Sequence, residues 1–138
     1  QGFYKELEKY IHKANWSYVA NPSGGFLAMW WHFEETEDVE IYLQFEERKL
    51  CFKIVADTVK DRTAVRWKYH NLLMKLSSDY PEIKRPDRFG SGTYMTIANV
   101  DINELLVDGF LDMKRIVERL HEYEQLVSKC AEIVNSEN

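Results

Sequence analysis

Between Val39 and Val55 apolar and polar residues alternate. Val39, Ile41, Leu43 and Phe45 take turns with Glu40, Tyr42, Gln44 and Glu46; after Glu47-Arg48, Leu50, Phe52 and Ile54 alternate with Cys51, Lys53 and Val55. A period of two belongs to a strand, whose successive side chains point to opposite faces of a sheet. Setting Phe45 opposite Leu50 keeps the main apolar set on one face, and a slip of one residue would turn that set toward water. The pattern therefore predicts an antiparallel hairpin, Val39–Glu46 with Lys49–Val55, that places Tyr42 across from Lys53 and Glu46 across from Lys49. Glu40 and Gln44 belong to a solvated face.

The flanking segments extend this hairpin into a domain. Phe26–Phe33 reads as a strand that is apolar on both faces except at His32, so it is expected to be covered on both sides or to lie at an interface. Adjacent Trp30 and Trp31 point to opposite faces, which assigns one to the core and leaves the other for a helix or a partner. Phe3–Ala14 reads as a short amphipathic helix and Asn21–Gly25 as a loop. Thr58, with Asp61 three residues on, reads as the cap of a helix reaching Leu76, with Val65, Tyr69, Leu72, Leu73 and Leu76 as its buried stripe. Pro81 and Pro86 bracket a short extended piece, Glu82–Arg85, an edge strand or no strand. Thr93–Val100 reads as a strand, and Asp101 with Glu104 as a second capping box. A helix of about 25 residues is expected from Gly109 on, with Met113, Val117, Leu120, Tyr123, Val127, Cys130 and Val134 as its apolar stripe. That stripe suits packing on the chain's own sheet, or a homodimer through the C-terminal helix. The expected fold class is α+β: an antiparallel sheet of about five strands packed against helices, in the order α-β-β-β-α-β-β-α with a long C-terminal helix.

At 138 residues this is one domain. The chain begins at Gln1 rather than Met, and the reading is an excised domain or a tagged chain, with functional parts expected outside it. A net charge of −5 argues against nonspecific nucleic-acid binding by the whole surface but leaves room for a local basic patch. Two cysteines read as reduced thiols, and with four scattered histidines they form no zinc pattern. No metal or cofactor is expected in this chain. No stretch reaches the ~18 apolar residues of a membrane span, and the first segment is charged and amphipathic rather than a signal peptide. A cytoplasmic setting without membrane contact follows as the expectation.

Candidate sites are few, and none is assigned a catalytic role. Arg62, Arg66, Arg85 and Arg88, with Trp67 and Tyr69 as stacking groups, form the candidate nucleic-acid surface: basic and aromatic residues together hold a phosphate backbone and stack bases. An ordinary solvated helix face explains the same residues. Gly90-Ser91-Gly92 lacks the lysine and the spacing of a phosphate loop and reads as a turn. The order of helix, three strands and helix is that of a PD-(D/E)xK nuclease core, whose chemistry needs an Asp on the second strand and acid-x-Lys on the third. Asp38 or Glu40 meets the first need. Cys51-Phe52-Lys53 breaks the second, since a thiol is a poor ligand for magnesium.

Three segments, Gly24–Phe33, Ile41–Ile54 and Arg88–Thr96, together resemble the C-terminal region of bacterial proteins of the PD-(D/E)xK nuclease superfamily. The resemblance runs from about Trp16 to the end and rests on strand patterns rather than catalytic residues. It implies a bacterial, DNA-related setting in which the nuclease motifs lie in a separate N-terminal domain, the first expected partner. Any magnesium would belong to the full-length protein. The chain is then expected to be a non-catalytic accessory domain that binds a partner domain or nucleic acid. The alternatives are a degenerate nuclease core and a stand-alone dimerisation module.

Overall fold

The structure, a computed structural model, describes residues 15–19, 26–46, 48–106, 108–110 and 112–137, the backbone alone for 15–19, 26 and 27. The expected helix Phe3–Ala14 and loop Asn21–Gly25 lie outside the described residues. The fold is α+β. Strands β1 (Asn15–Val19), β2 (Phe26–Glu35), β3 (Glu40–Glu46), β4 (Lys49–Val55) and β5 (Tyr94–Asp101) form one sheet in that order, each antiparallel to the next. Helix α1 (Arg62–Leu76) joins β4 to β5. Helix α2 (Met113–Ser136) follows a single 3-10 turn at Ile102–Leu105.

The β3–β4 register is the one the alternation predicts: Phe45 faces Leu50, Tyr42 faces Lys53 and Glu46 faces Lys49. Val39, Ile41, Leu43, Phe45, Leu50, Phe52 and Ile54 are all buried. Trp31 stacks on Phe45, with ring centroids 5.9 Å apart, and Phe52 meets the edge of Tyr123 at 5.5 Å. Both helices cover this one face. The α2 stripe from Ile116 through Leu120, Tyr123 and Val127 to Val134 is buried in the same core as the sheet. The apolar stripe is thus used within the chain.

The order of elements departs from the expectation at two points. Only one full strand separates the two helices. Glu82–Arg85 is reduced to a single bridge, Lys84 with Asn99, on the outer edge of β5, because flanking Pro81 and Pro86 have no N–H to extend a ladder. A strand at Asn15–Val19, which the sequence pattern did not mark, pairs with β2 instead. The caps also move. Asp61 rather than Thr58 caps α1, its side chain accepting from the Ala64 N–H at 3.0 Å. The Asp101 box starts the 3-10 turn, and Asp112 caps α2, which begins four residues later than Gly109.

β2 contains a bulge. Trp31 pairs with Leu43 and Glu34 pairs with Ile41, so His32 and Phe33 together oppose Tyr42. His32 sits at φ 60°, a left-handed conformation that costs a non-glycine residue about 1–3 kcal/mol. The extra residue shifts the phase of the strand. His32 reaches toward α2, and Phe33 lies on the face that the helices leave open.

Candidate functional site

The six residues expected to form a nucleic-acid surface do not act as one. Arg66 is 7% exposed. Its Nε and Nη2 donate to the Thr96 carbonyl at 2.9 and 2.6 Å, Nη1 to Gly90 at 2.6 Å and Nη2 to Arg88 at 3.5 Å, while the guanidinium lies 4.1 Å over the Phe89 ring. Burial lowers its pKa. It staples the 88–90 turn to β5. Tyr69 is buried, with its hydroxyl on Thr36 at 2.7 Å, and desolvation pushes its pKa up to about 12. Arg62 donates to the carbonyls of Ala56 and Asp57. Trp67, Arg85 and Phe89 do meet: Arg85 lies 5.4 Å over the indole, and Trp67 and Phe89 are 4.5 Å apart. Arg85 and Arg88 are exposed.

Of the positions that a nuclease core would use, Glu40 and Lys53 line one groove, and the others are held in separate contacts. Asp38 pairs with Lys68 at 3.0 Å. Lys53 donates to Thr96 at 3.1 Å. Cys51 is buried and donates to Glu46 at 3.4 Å; desolvation, then the Glu46 charge, raises the pKa of its thiol. Among the described residues, no group of three or more His, Cys, Asp or Glu is placed to hold a metal ion.

Ser128 donates to Glu34 at 2.7 Å and lies 2.8 Å from His32 Nε2. His32 Nε2 also lies 3.5 Å from Glu34, so the three side chains form one polar tie. It fastens the bulge of β2 to α2. Trp31 adds a second fastening, its indole N–H donating to Glu124 at 2.7 Å.

The open face of the sheet is where unsatisfied surface collects. A groove of about 590 Å³ is walled by Trp30, Phe33, Tyr42, Val55 and Tyr94, with Glu40, Gln44 and Lys53 as its polar lining. Phe33 stacks on Tyr42 at 4.9 Å. Phe33 is 40% and Tyr94 67% exposed, so much aromatic surface meets water here. Cross-strand pairing brings these side chains together: Tyr42 faces Lys53, Trp30 faces Gln44 and Tyr94 faces Val55. The expected solvated face is thus half apolar, with Tyr42 and Cys51 buried within it. The sequence marked Trp30 or Trp31 for a partner, and Trp30 is the one that lines the groove. Phe33 and Tyr94 went unmarked, Phe33 because the bulge inverts its side.

No protein-family model, curated protein or solved structure matches the chain. No helix among the described residues is long and apolar enough to cross a membrane.

Proposed function

We propose that this chain is a non-catalytic interaction domain, the C-terminal accessory part of a bacterial, cytoplasmic protein of the PD-(D/E)xK nuclease type. In this reading it holds a partner, first of all the nuclease-like domain of the same protein, in the groove on the open face of its sheet. The observation that carries the reading is the groove itself. Four aromatic side chains line it, two of them well exposed, and the helices that bury the other face leave it uncovered. Contiguous exposed apolar surface of this kind marks interaction sites. The strand patterns of residues 24–33, 41–54 and 88–96 supply the nuclease-type context. Asp38 paired with Lys68, and a cysteine where the second metal-binding acid would stand, speak against a reaction in this chain, and any magnesium would belong to the nuclease-like domain.

The test has two arms. Purified chain incubated with supercoiled plasmid and magnesium or manganese should leave the plasmid intact. Cleavage that disappears in Lys53→Ala would overturn the reading in favour of a degenerate nuclease core. Titration calorimetry against the nuclease-like domain should give saturable heat that Tyr94→Ser reduces. Nucleic acid is the second reading, favoured by Arg85 lying over Trp67 beside exposed Arg88. It requires a labelled strand to bind with steep salt dependence and to lose that binding in Arg85→Ala/Arg88→Ala.

A further inference from the structure

The groove does not end at its aromatic walls. Glu40 and Val55 also line a second hollow of about 280 Å³, which carries Glu35, Glu37, Asp38 and Asp57 at the β2–β3 turn. Among the described residues Lys68 pairs with Asp38, and Arg62 reaches the backbone carbonyl of Asp57 but not its carboxylate. Among the described residues Glu35, Glu37, Glu40 and Asp57 form no ion pair. The two hollows therefore form one surface, aromatic at one end and strongly negative at the other. Lys53, the base within the aromatic part, gives a hydrogen bond to Thr96 and shares the lining of that part with Glu40.

We propose that this surface receives a segment of a partner protein that sets aromatic or aliphatic side chains against Trp30, Phe33, Tyr42 and Tyr94 and lysines or arginines against Glu35, Glu37, Glu40 and Asp57. The inference rests on the interaction reading above and adds the chemistry of the partner. Aromatic pockets supply the affinity of such contacts, and opposite charges at their rim supply orientation and speed of encounter. The same acids turn away a nucleic-acid strand, since stacking on the aromatics would bring its phosphates against uncompensated carboxylates.

The experiment is selection from a displayed library of random dodecapeptides on the 138-residue chain, followed by anisotropy of the labelled winning peptide. Tyr94→Ser and Glu37→Lys serve as controls, since both positions are exposed and circular dichroism melting verifies that the variants fold. The expected winners combine aromatic or aliphatic residues with lysine or arginine. Their affinity should fall about tenfold or more in each variant and weaken as salt rises. Winners that are acidic or free of basic residues, yet lose binding in Tyr94→Ser, overturn the inference while sparing the interaction reading. The same split holds if labelled oligothymidine displaces them, or if light scattering shows a dimer broken by Tyr94→Ser. Winners indifferent to both variants overturn the groove itself, and DNA cleavage in the plasmid assay would sink the reading beneath it.

Discussion

Arg66 shows how differently two arginines on one helix can be used. Its guanidinium satisfies three carbonyls from another part of the chain, a geometry that a planar fork of donors meets and a lysine does not. Arg66→Ala should therefore cost about 2–4 kcal/mol, because hydrogen bonds from a charged group are worth more than neutral ones and the carbonyls lose their donor. Arg85→Ala, at an exposed position, should change stability by less than about 0.5 kcal/mol. Urea unfolding of the two variants checks the contrast; equal losses would show that Arg66 is not the staple described. The four-residue spacing of Arg62 and Arg66 is plain in the sequence. Which of them faces water depends on carbonyls at 88, 90 and 96, and no local pattern reports those. Tyr69 is ambiguous in the sequence for the same reason: its spacing suits both the buried stripe and a stacking role, and the structure buries it.

Among the elements, β3 and β4 were the most legible because each has one covered face and the alternation survives along their whole length. Leu43 sits at the centre of that pattern, fully buried between β2 and β4. Leu43→Ala should cost about 2–5 kcal/mol, the usual range for emptying a core site. A thermal or denaturant midpoint close to the wild type would mean that the core is centred elsewhere. β2 was less legible. Its alternation holds to Trp31 and then shifts by one residue at a bulge occupied by histidine, where glycine would have announced a left-handed backbone. The tie from His32 through Ser128 to Glu34 lies 94 residues apart in sequence at its far end, so no periodicity could reveal it. The Ile83 segment was ambiguous for a sound reason, since two prolines permit one bridge and forbid a ladder.

At the scale of the molecule the burial of several titratable groups sets an alkaline limit. Desolvation raises the pKa of Tyr42, Tyr69 and Tyr123 and of the thiols Cys51 and Cys130, Tyr69 and Cys130 to about 12. A phenol whose folded pKa lies above its unfolded value of 10.0 lends stability that is fully present below that pH. It is lost as pH rises through the folded pKa, because the unfolded chain releases its proton first. Stability should thus fall steeply above about pH 10, and phenolate absorbance of the buried tyrosines should appear together with loss of helix signal. Neither thiol should react with a disulfide reagent near neutral pH until the chain unfolds. Early thiol reaction, or phenolate formation in a chain that stays helical, would contradict the burial.

The antiparallel meander also sets an order of events during synthesis. Each strand pairs with the one made just before it, so from β1 to β4 hairpins can form as the chain emerges over short loops, while β5 joins only after α1 has been made. The second half of the cover comes last: the 24 residues of α2 are translated only after the five described strands exist. Until they leave the ribosome, the apolar surface meant for Leu120, Tyr123 and Val127 has no counterpart, and the nascent sheet is a natural client for a chaperone at that stage.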